Sequence, residues 1–287
     1  MVSISLLVVG SVNLDIVATA AHLPAPGETI SDAVLARHPG GKGANQALAA
    51  HRLGARVALS ASVGRDPEAE QALALLSSEG VDLSHCITLP GCATGVALIC
   101  VESSGENQIV VAPGANAQHR LPDLDWSAYD GVICQLEIPI PVIEQIPEHY
   151  SGFLCVNLAP ARRVPDAVLQ RADLLVVNES EARFAADRLH LCDGWIATTE
   201  GAKGAVLSRH RGGEDRETFR ADAPAVATRD TTGAGDTFTA ALTLALLEGM
   251  PPETALGFAC AAGACATRRM GAQPSLPGRS DVDRLCR

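Results

Sequence analysis

Short, nearly continuous apolar runs alternate along this chain with helical stretches. The runs span residues 4–9, 57–63, 131–136, 153–158, 174–177, 195–199 and 205–208. Such segments predict strands buried on both faces, because neither side of the sheet meets water. Between them, residues 44–53 end at Gly54 and residues 67–78 end at Gly80, each a helix with a glycine stop signal. Near the C-terminus, residues 236–248 and 252–268 predict a helical pair joined by residues 249–251. The alternation predicts an α/β fold: a mostly parallel central sheet with helices on both faces, a three-layer sandwich.

Two segments break this pattern. Residues 12–39 are rich in Pro and Gly with alternating residues, and residues 94–112 read as two strands, 95–102 and 108–112, around a turn at 103–107. Strand pairs that interrupt an α/β pattern predict a small β-sheet, placed as a lid over the strand ends where such folds bind ligands. The expected organisation is one α/β unit over residues 1–287, with lid segments near 12–39 and 94–112.

Composition narrows the classes. The 287 residues include 33 acidic and 22 basic side chains, a net charge of −11. Nucleic acid is gripped by clustered Lys and Arg, so no nucleic-acid partner is expected. With 47 % hydrophobic residues the chain has material for a large core. No run approaches the roughly 18–20 apolar residues that cross a bilayer, and the first apolar run lacks a basic leader, so it reads as a strand. The nine cysteines include no CxxC pair, and Cys100, Cys134 and Cys155 sit within apolar runs. These features predict a reduced, cytoplasmic protein without a membrane partner.

Candidate chemistry lies in two glycine turns. In Asp230-Thr-Thr-Gly233-Ala234-Gly235-Asp236-Thr-Phe238, the glycines precede an apolar helix. Backbone N–H groups at such a helix start make an anion hole, and a carboxylate beside it can take a proton from an alcohol. Alternatively, Asp236 is only the helix N-cap. The second turn is Gly40-Gly41-Lys42-Gly43-Ala44-Asn45-Gln46. It is neither a Walker A loop nor a complete GxGxxG, but it offers close backbone approach and side chains that bind hydroxyl groups.

These two turns, in this order, resemble the signatures of the PfkB family and its ribokinase branch. The likeness extends over almost the whole chain through Gly10-Ser-Val-Asn13-Leu14-Asp15, Pro26-Gly-Glu-Thr29, Thr94-Gly-Val-Ala-Leu98, Gly105-Glu-Asn107, Gly114-Ala-Asn116 and Gln135-Leu-Glu137. It continues in Asn157-Leu-Ala-Pro-Ala-Arg162, Asn178-Glu-Ser-Glu181 and Gly271-Ala-Gln-Pro-Ser275. The resemblance implies a ribokinase-like α/β/α fold with a β-sheet lid. It also implies phosphoryl transfer from ATP to the 5-hydroxyl of a furanose sugar, D-ribose giving ribose 5-phosphate. Asp236 would be the general base, with Gly233, Ala234 and Gly235 as the anion hole. Sugar binding would fall to Asn13, Leu14, Asp15, Gly41, Lys42, Gly43, Ala44, Asn45, Glu137 and Asp236. Nucleotide binding would involve Asn178, Thr199, Glu200, Gly201, Ala202, Lys203, Gly204, Gly235, Asp236 and Cys260. Mg²⁺ would sit near Glu181, and K⁺ at Asp230, Thr232, Ala266, Arg269, Gly271 and Ser275. A homodimer paired through the lid is implied as well, with Val17, Val34 and Val96 as candidate contacts.

The chain departs from the pattern between Asn178 and Thr199, where about twenty residues leave room for one helix and a further helix is missing. Deoxyribose, another sugar or a nucleoside are alternative acceptors, and a nonenzymatic sugar sensor is the alternative outside catalysis.

Overall fold

The computed structural model describes residues 3–102, 105–211 and 215–286, with no side-chain description for residues 210–216. Ser103 and Ser104, in the expected lid turn, lie outside the described residues. The strands are β1 (Ser5–Val9), β2 (Asn13–Ala20), β3 (Val34–Gly40), β4 (Arg56–Gly64), β5 (Cys86–Leu89), β6 (Gly95–Glu102), β7 (Asn107–Ala112), β8 (Gly131–Gln135), β9 (Phe153–Asn157), β10 (Leu174–Asn178), β11 (Trp195–Thr199), β12 (Ala205–Arg211) and β13 (Asp215–Ala221). The helices are α1 (Lys42–Arg52), α2 (Pro67–Glu79), α3 (Ile140–His149), α4 (Asp166–Arg171), α5 (Glu179–Phe184), α6 (Ala234–Leu247), α7 (Pro252–Ala266), α8 (Ala272–Ser275) and α9 (Arg279–Leu285).

Among the described residues the main sheet has the order β13-β12-β11-β10-β9-β8-β1-β4-β5. It is parallel from β5 to β11, and β12 and β13 add as antiparallel strands at one edge. The near-continuous apolar runs have the burial they require. Leu6, Val8, Leu59 and Ile133 face a core with α1, α2, α6 and α7, whereas Leu7, Val9, Val132 and Cys134 face a second core with α3 and α4. The result is the expected three layers.

Strand order reverses at β1, which has β4 on one side and β8 on the other. At this switch point the loops beyond the strand ends diverge and leave a crevice, the usual ligand position in such sheets. The chain leaves β1 through Gly10 and Ser11 and enters a second sheet, of order β3-β2-β6-β7. This lid includes a parallel β2–β6 pair, which joins strands far apart in sequence. By register, Asp15, Val17 and Ala97 share one face with Val34, while Val96 pairs with Leu14 on the other. The three candidate contact valines therefore do not share a face.

Beyond β10, α5 is followed by a short 3-10 turn, Leu189–Leu191, before β11 begins. The single short helix accommodates the reduced segment without interrupting the sheet.

The site end depends on a close backbone crossing. The first turn of α1 lies against Gly10 and Ser11, with the Ala44 N–H donating to Ser11 O at 2.9 Å. A Cβ on Gly43 would sit 2.5 Å from Ser11 N and 2.6 Å from the Gly10 carbonyl carbon, both backbone atoms that have no rotamer escape. Gly43→Ala should destabilise the fold by about 1–3 kcal/mol through this overpacking. Urea unfolding measures it, and an unchanged midpoint would show that the crossing yields.

Candidate active site

The first wall of the crevice comes from the start of α1. Gly41 precedes the helix at φ +88° without a side-chain cap, so the first N–H groups remain for other partners. One of them, the Lys42 N–H, donates to Glu137 Oε2 at 3.1 Å, and Ser11 Oγ donates to the same oxygen. The Lys42 ammonium lies 3.9 Å from Glu137 Oε1. Glu137, immediately beyond β8, thus joins the β1 exit, the α1 start and the lysine.

The lid contributes Asn13 and Asp15 from β2. Asp15 packs on Gly40, where a Cβ would lie 2.3 Å from Asp15 Oδ2, so only glycine leaves the carboxylate this position. Asn13 Oδ1 accepts from Asn116 Nδ2 at 2.8 Å. Asn116 also brackets Val12, accepting its N–H at 2.9 Å and donating to its carbonyl at 3.0 Å. This clamp fixes the Asn13 amide with its NH₂ group left for other acceptors. Asn116 was legible only as the end of the Gly114-Ala-Asn116 string, with no role attached.

The opposite wall is the start of α6. Gly233, at φ +80°, occupies the N-cap position, so Asp236 lies inside the first turn and is not the cap. Its carboxylate accepts from Asn45 Nδ2 at 2.9 Å and from Gln46 Nε2 at 3.0 Å. The Ala234 N–H donates within the turn to Thr231 O at 3.2 Å. Among the described residues no acceptor takes the N–H groups of Gly233 and Gly235. An anion at this helix start would therefore meet those two rather than Ala234.

Two cavities meet here. One, of about 380 Å³, is lined by Asn13, Asp15, Gly41, Lys42, Asn45, Glu137 and Asp236, together with Asn178, Glu181 and the lid residues Ala97, Ile99, Ile109 and Val111. The other, of about 490 Å³, is lined by Thr199, Gly201, Ala202, Gly204 and Cys260, with Phe238 and the 223–226 segment. Thr199, Thr231 and Gly235 belong to both walls. The α6 start therefore stands at the junction.

Other expected site residues lie elsewhere. Leu14 is buried in the lid, and Gly43 and Ala44 lie behind the wall against the β1 exit. Glu200 pairs with Arg220 at 2.7 Å, and Lys203 is exposed on the turn; neither lines either of these two cavities. Asn178 and Glu181, by contrast, line the first cavity and also cap α5 reciprocally, with the Asn178 N–H donating to Glu181 Oε2 at 2.8 Å.

Asp230 laces two loops. Its Oδ1 accepts from the Thr232 N–H and hydroxyl, and its Oδ2 accepts from the Gly271 N–H at 2.8 Å. Ser275 Oγ donates to Ala272 O, Ala266 ends α7, and Arg269 is exposed. Carboxylate, hydroxyl and carbonyl oxygens in these loops suit a hard monovalent cation. Among the described residues no cluster of three or more His, Cys, Asp or Glu side chains could hold a metal. A divalent ion at Glu181 would fit as one held chiefly by phosphate oxygens and water.

Electrostatics bind these parts together. Burial would lower the Lys42 ammonium's pKa, but the carboxylates of Asp236, Glu137, Glu181 and Asp15 outweigh it and hold the group above its ordinary value. Burial raises Asp236, against Lys42 and its two amide donors, which lower it. Asp15 is pushed up to about 7, first by burial and then by the neighbouring Glu137 and Asp236.

A carboxyl raised in the folded state stabilises the fold fully below its unfolded pKa, and that stability is lost as pH rises through the folded value. Between pH 5 and pH 8 the ligand-free protein should lose on the order of 2 kcal/mol from Asp15, and Asp15→Asn should remove that loss. Urea unfolding at the two pH values measures it; equal losses in both proteins would contradict the assignment.

Comparison with known proteins agrees with this geometry. The model of the pfkB family carbohydrate kinases matches residues 3–279. Ribokinase of Haemophilus influenzae is 35 % identical, covering 97 % of each chain, and that of Bacillus subtilis is 35 % identical, covering 98 % of this chain and 99 % of its own. The structure of Arabidopsis thaliana ribokinase complexed with ribose and ATP superposes with a TM-score of 0.87 at 30 % identity, covering 99 % of both chains. With the glycine turns, the lid and the paired cavities in place, the chain belongs to the pfkB family of carbohydrate kinases.

Proposed function

We propose that the protein transfers the γ-phosphoryl group of ATP to the 5-hydroxyl of D-ribose, giving ribose 5-phosphate and ADP. The observation that carries this reading is Asp236, buried in the first turn of α6 where the two cavities meet. Ribose occupies the cavity lined by Asn13, Asp15, Lys42, Asn45 and Glu137. These carboxylates and amides recognise paired hydroxyls, and a missing hydroxyl would leave a buried group unpaired. The nucleotide occupies the second cavity, its base near Cys260 and its phosphates toward Gly233 and Gly235.

Asp236 receives the proton of the 5-hydroxyl as the phosphoryl group is transferred. The N–H groups at the start of α6 bind charge on that group, and Lys42 keeps the surrounding carboxylates from repelling it. Mg²⁺, bound with ATP near Glu181, would neutralise phosphate charge. K⁺ at the Asp230–Ser275 loops would hold the α6 start in shape. The lid pairs with a second copy through the face away from Asp15, where Leu35, Leu98 and Val110 are 55 %, 50 % and 66 % exposed, a large apolar surface for one thin sheet. A reducing, cytoplasmic location agrees with nine unpaired cysteines, and none of the helices among the described residues is long and apolar enough to cross a membrane.

The test is ATP consumption over pentoses, hexoses and nucleosides with Mg²⁺ and K⁺ present, repeated with Asp236→Asn. Ribose should be preferred, with phosphate appearing on its 5-oxygen. Replacing K⁺ by a large organic cation should lower turnover, and Asp236→Asn should cut it at least about a hundredfold with both ligands still bound. Preference for deoxyribose or a nucleoside would reassign the acceptor, turnover with none would favour a sensor, and near-normal Asp236→Asn turnover would remove the base.

A further inference from the structure

The donors that hold Asp236 continue outward from the site. Gln46, which donates to Asp236 Oδ1, accepts at its own Oε1 from Gln135 Nε2 at 2.7 Å. Gln46 and Gln135 are fully buried, in α1 and at the end of β8 respectively. An ionised carboxylate only accepts, so the NH₂ group of Gln46 must face Asp236 and its carbonyl must face Gln135. Gln135 is oriented in turn, and its Oε1 is left buried without a donor. That oxygen lies against Gly10, where a Cβ would come within 2.0 Å of it. A core built only for packing would place a methionine or leucine here, because an unpaired buried acceptor is costly.

We propose that Gln46 and Gln135 are positioning residues, a one-way amide relay that orients the Asp236 carboxylate and favours its ionised form. The inference rests on Asp236 as the base. Both donor bonds point toward the carboxylate, and each donor polarised by the next is strengthened. The charged groups facing Asp236 are Lys42 from α1, Glu137 beyond β8 and Asp15 from β2. The other neighbours of α6 add none nearby: β9 has no charged residue, and α7 has only Glu253, in its first turn at the far end. Of the donors to Asp236, Asn45 lines the cavity, whereas Gln46 does not. Gln46 can therefore be changed without removing a sugar contact.

Removing the Gln46 donor takes away an interaction with the ionised form, so the base binds its proton more tightly. A base acts when ionised, so the acid limb of the kcat profile moves to higher pH, and lost rate returns under alkaline conditions. A purely structural role would reduce the folded fraction or KM without that recovery.

The experiment measures kcat and KM for ribose and ATP from about pH 5 to about pH 9 in the full chain with Mg²⁺ and K⁺, using Gln46→Met and Gln135→Met. Gln46→Met should shift the acid limb upward by about one pH unit and lower kcat about tenfold below it, with both KM values retained. Gln135→Met should shift it less, in the same direction; thermal unfolding verifies that each variant is folded, and Gln135→Met decides if Gln46→Met is not. Profiles that superpose on the wild type, or losses confined to KM and equal at every pH, would overturn the relay. Asp236→Asn separates the two failures: if it is inactive while the Gln46→Met profile is unchanged, only the relay is wrong, and if it keeps turnover the base itself is wrong.

Discussion

One ammonium group holds the site together. Lys42 faces carboxylates from four separate parts of the chain: Asp15 on the lid, Glu137 beyond β8, Glu181 on α5 and Asp236 on α6. In a low-dielectric crevice four such groups could not share a site without a cation, since like charges a few ångströms apart raise one another's pKa. Lys42 offsets part of this repulsion, and the upward pKa of Asp15 offsets more by keeping a proton nearby. The balance matters doubly in a chain of net charge −11. Its overall field repels a polyanionic nucleotide, so attraction must come from local groups.

The start of α6 is one such group, and the start of α1 is built in the same way. Both α1 and α6 begin after a glycine with positive φ and without a side-chain cap. A serine or aspartate cap would stabilise each helix alone by about 1 kcal/mol, but it would occupy N–H groups that at α1 hold Glu137 and Ser11 and at α6 face the cavities. The fold surrenders that local stability where β1 reverses the strand order, and tertiary packing of buried helices supplies it again. Lid and crossing glycines serve the same purpose, letting Asp15 and the α1 backbone approach where a Cβ would collide.

Much of this was legible in the residues, because two-sided burial and glycine turns are local signals. The seven apolar runs all lie on strands of the main sheet, and both glycine turns begin helices. What escaped was set by distance. The parallel β2–β6 pair joins strands some eighty residues apart, and no local pattern reports such a register, so Val96 could not be assigned a face. The Asn116 clamp and the Gln46–Gln135 bond connect residues that only the folded sheet brings together. The N-cap alternative for Asp236 failed because the preceding glycine takes that position. Glu200 and Lys203 lie beside residues of the second cavity in sequence, but their long side chains turn to solvent and to Arg220.

The central claim is that burial and the carboxylates around Lys42 hold Asp15 near its titration point at neutral pH, so that the sugar proposed to bind there displaces its proton. Calorimetry of ribose binding near pH 7, in buffers of different ionisation enthalpy, tests it most directly. The account predicts an apparent enthalpy that varies with the buffer and reports net proton release, vanishing well above pH 7 and absent in Asp15→Asn. Equal enthalpies in every buffer for the wild-type protein, or the same release from Asp15→Asn, would contradict it.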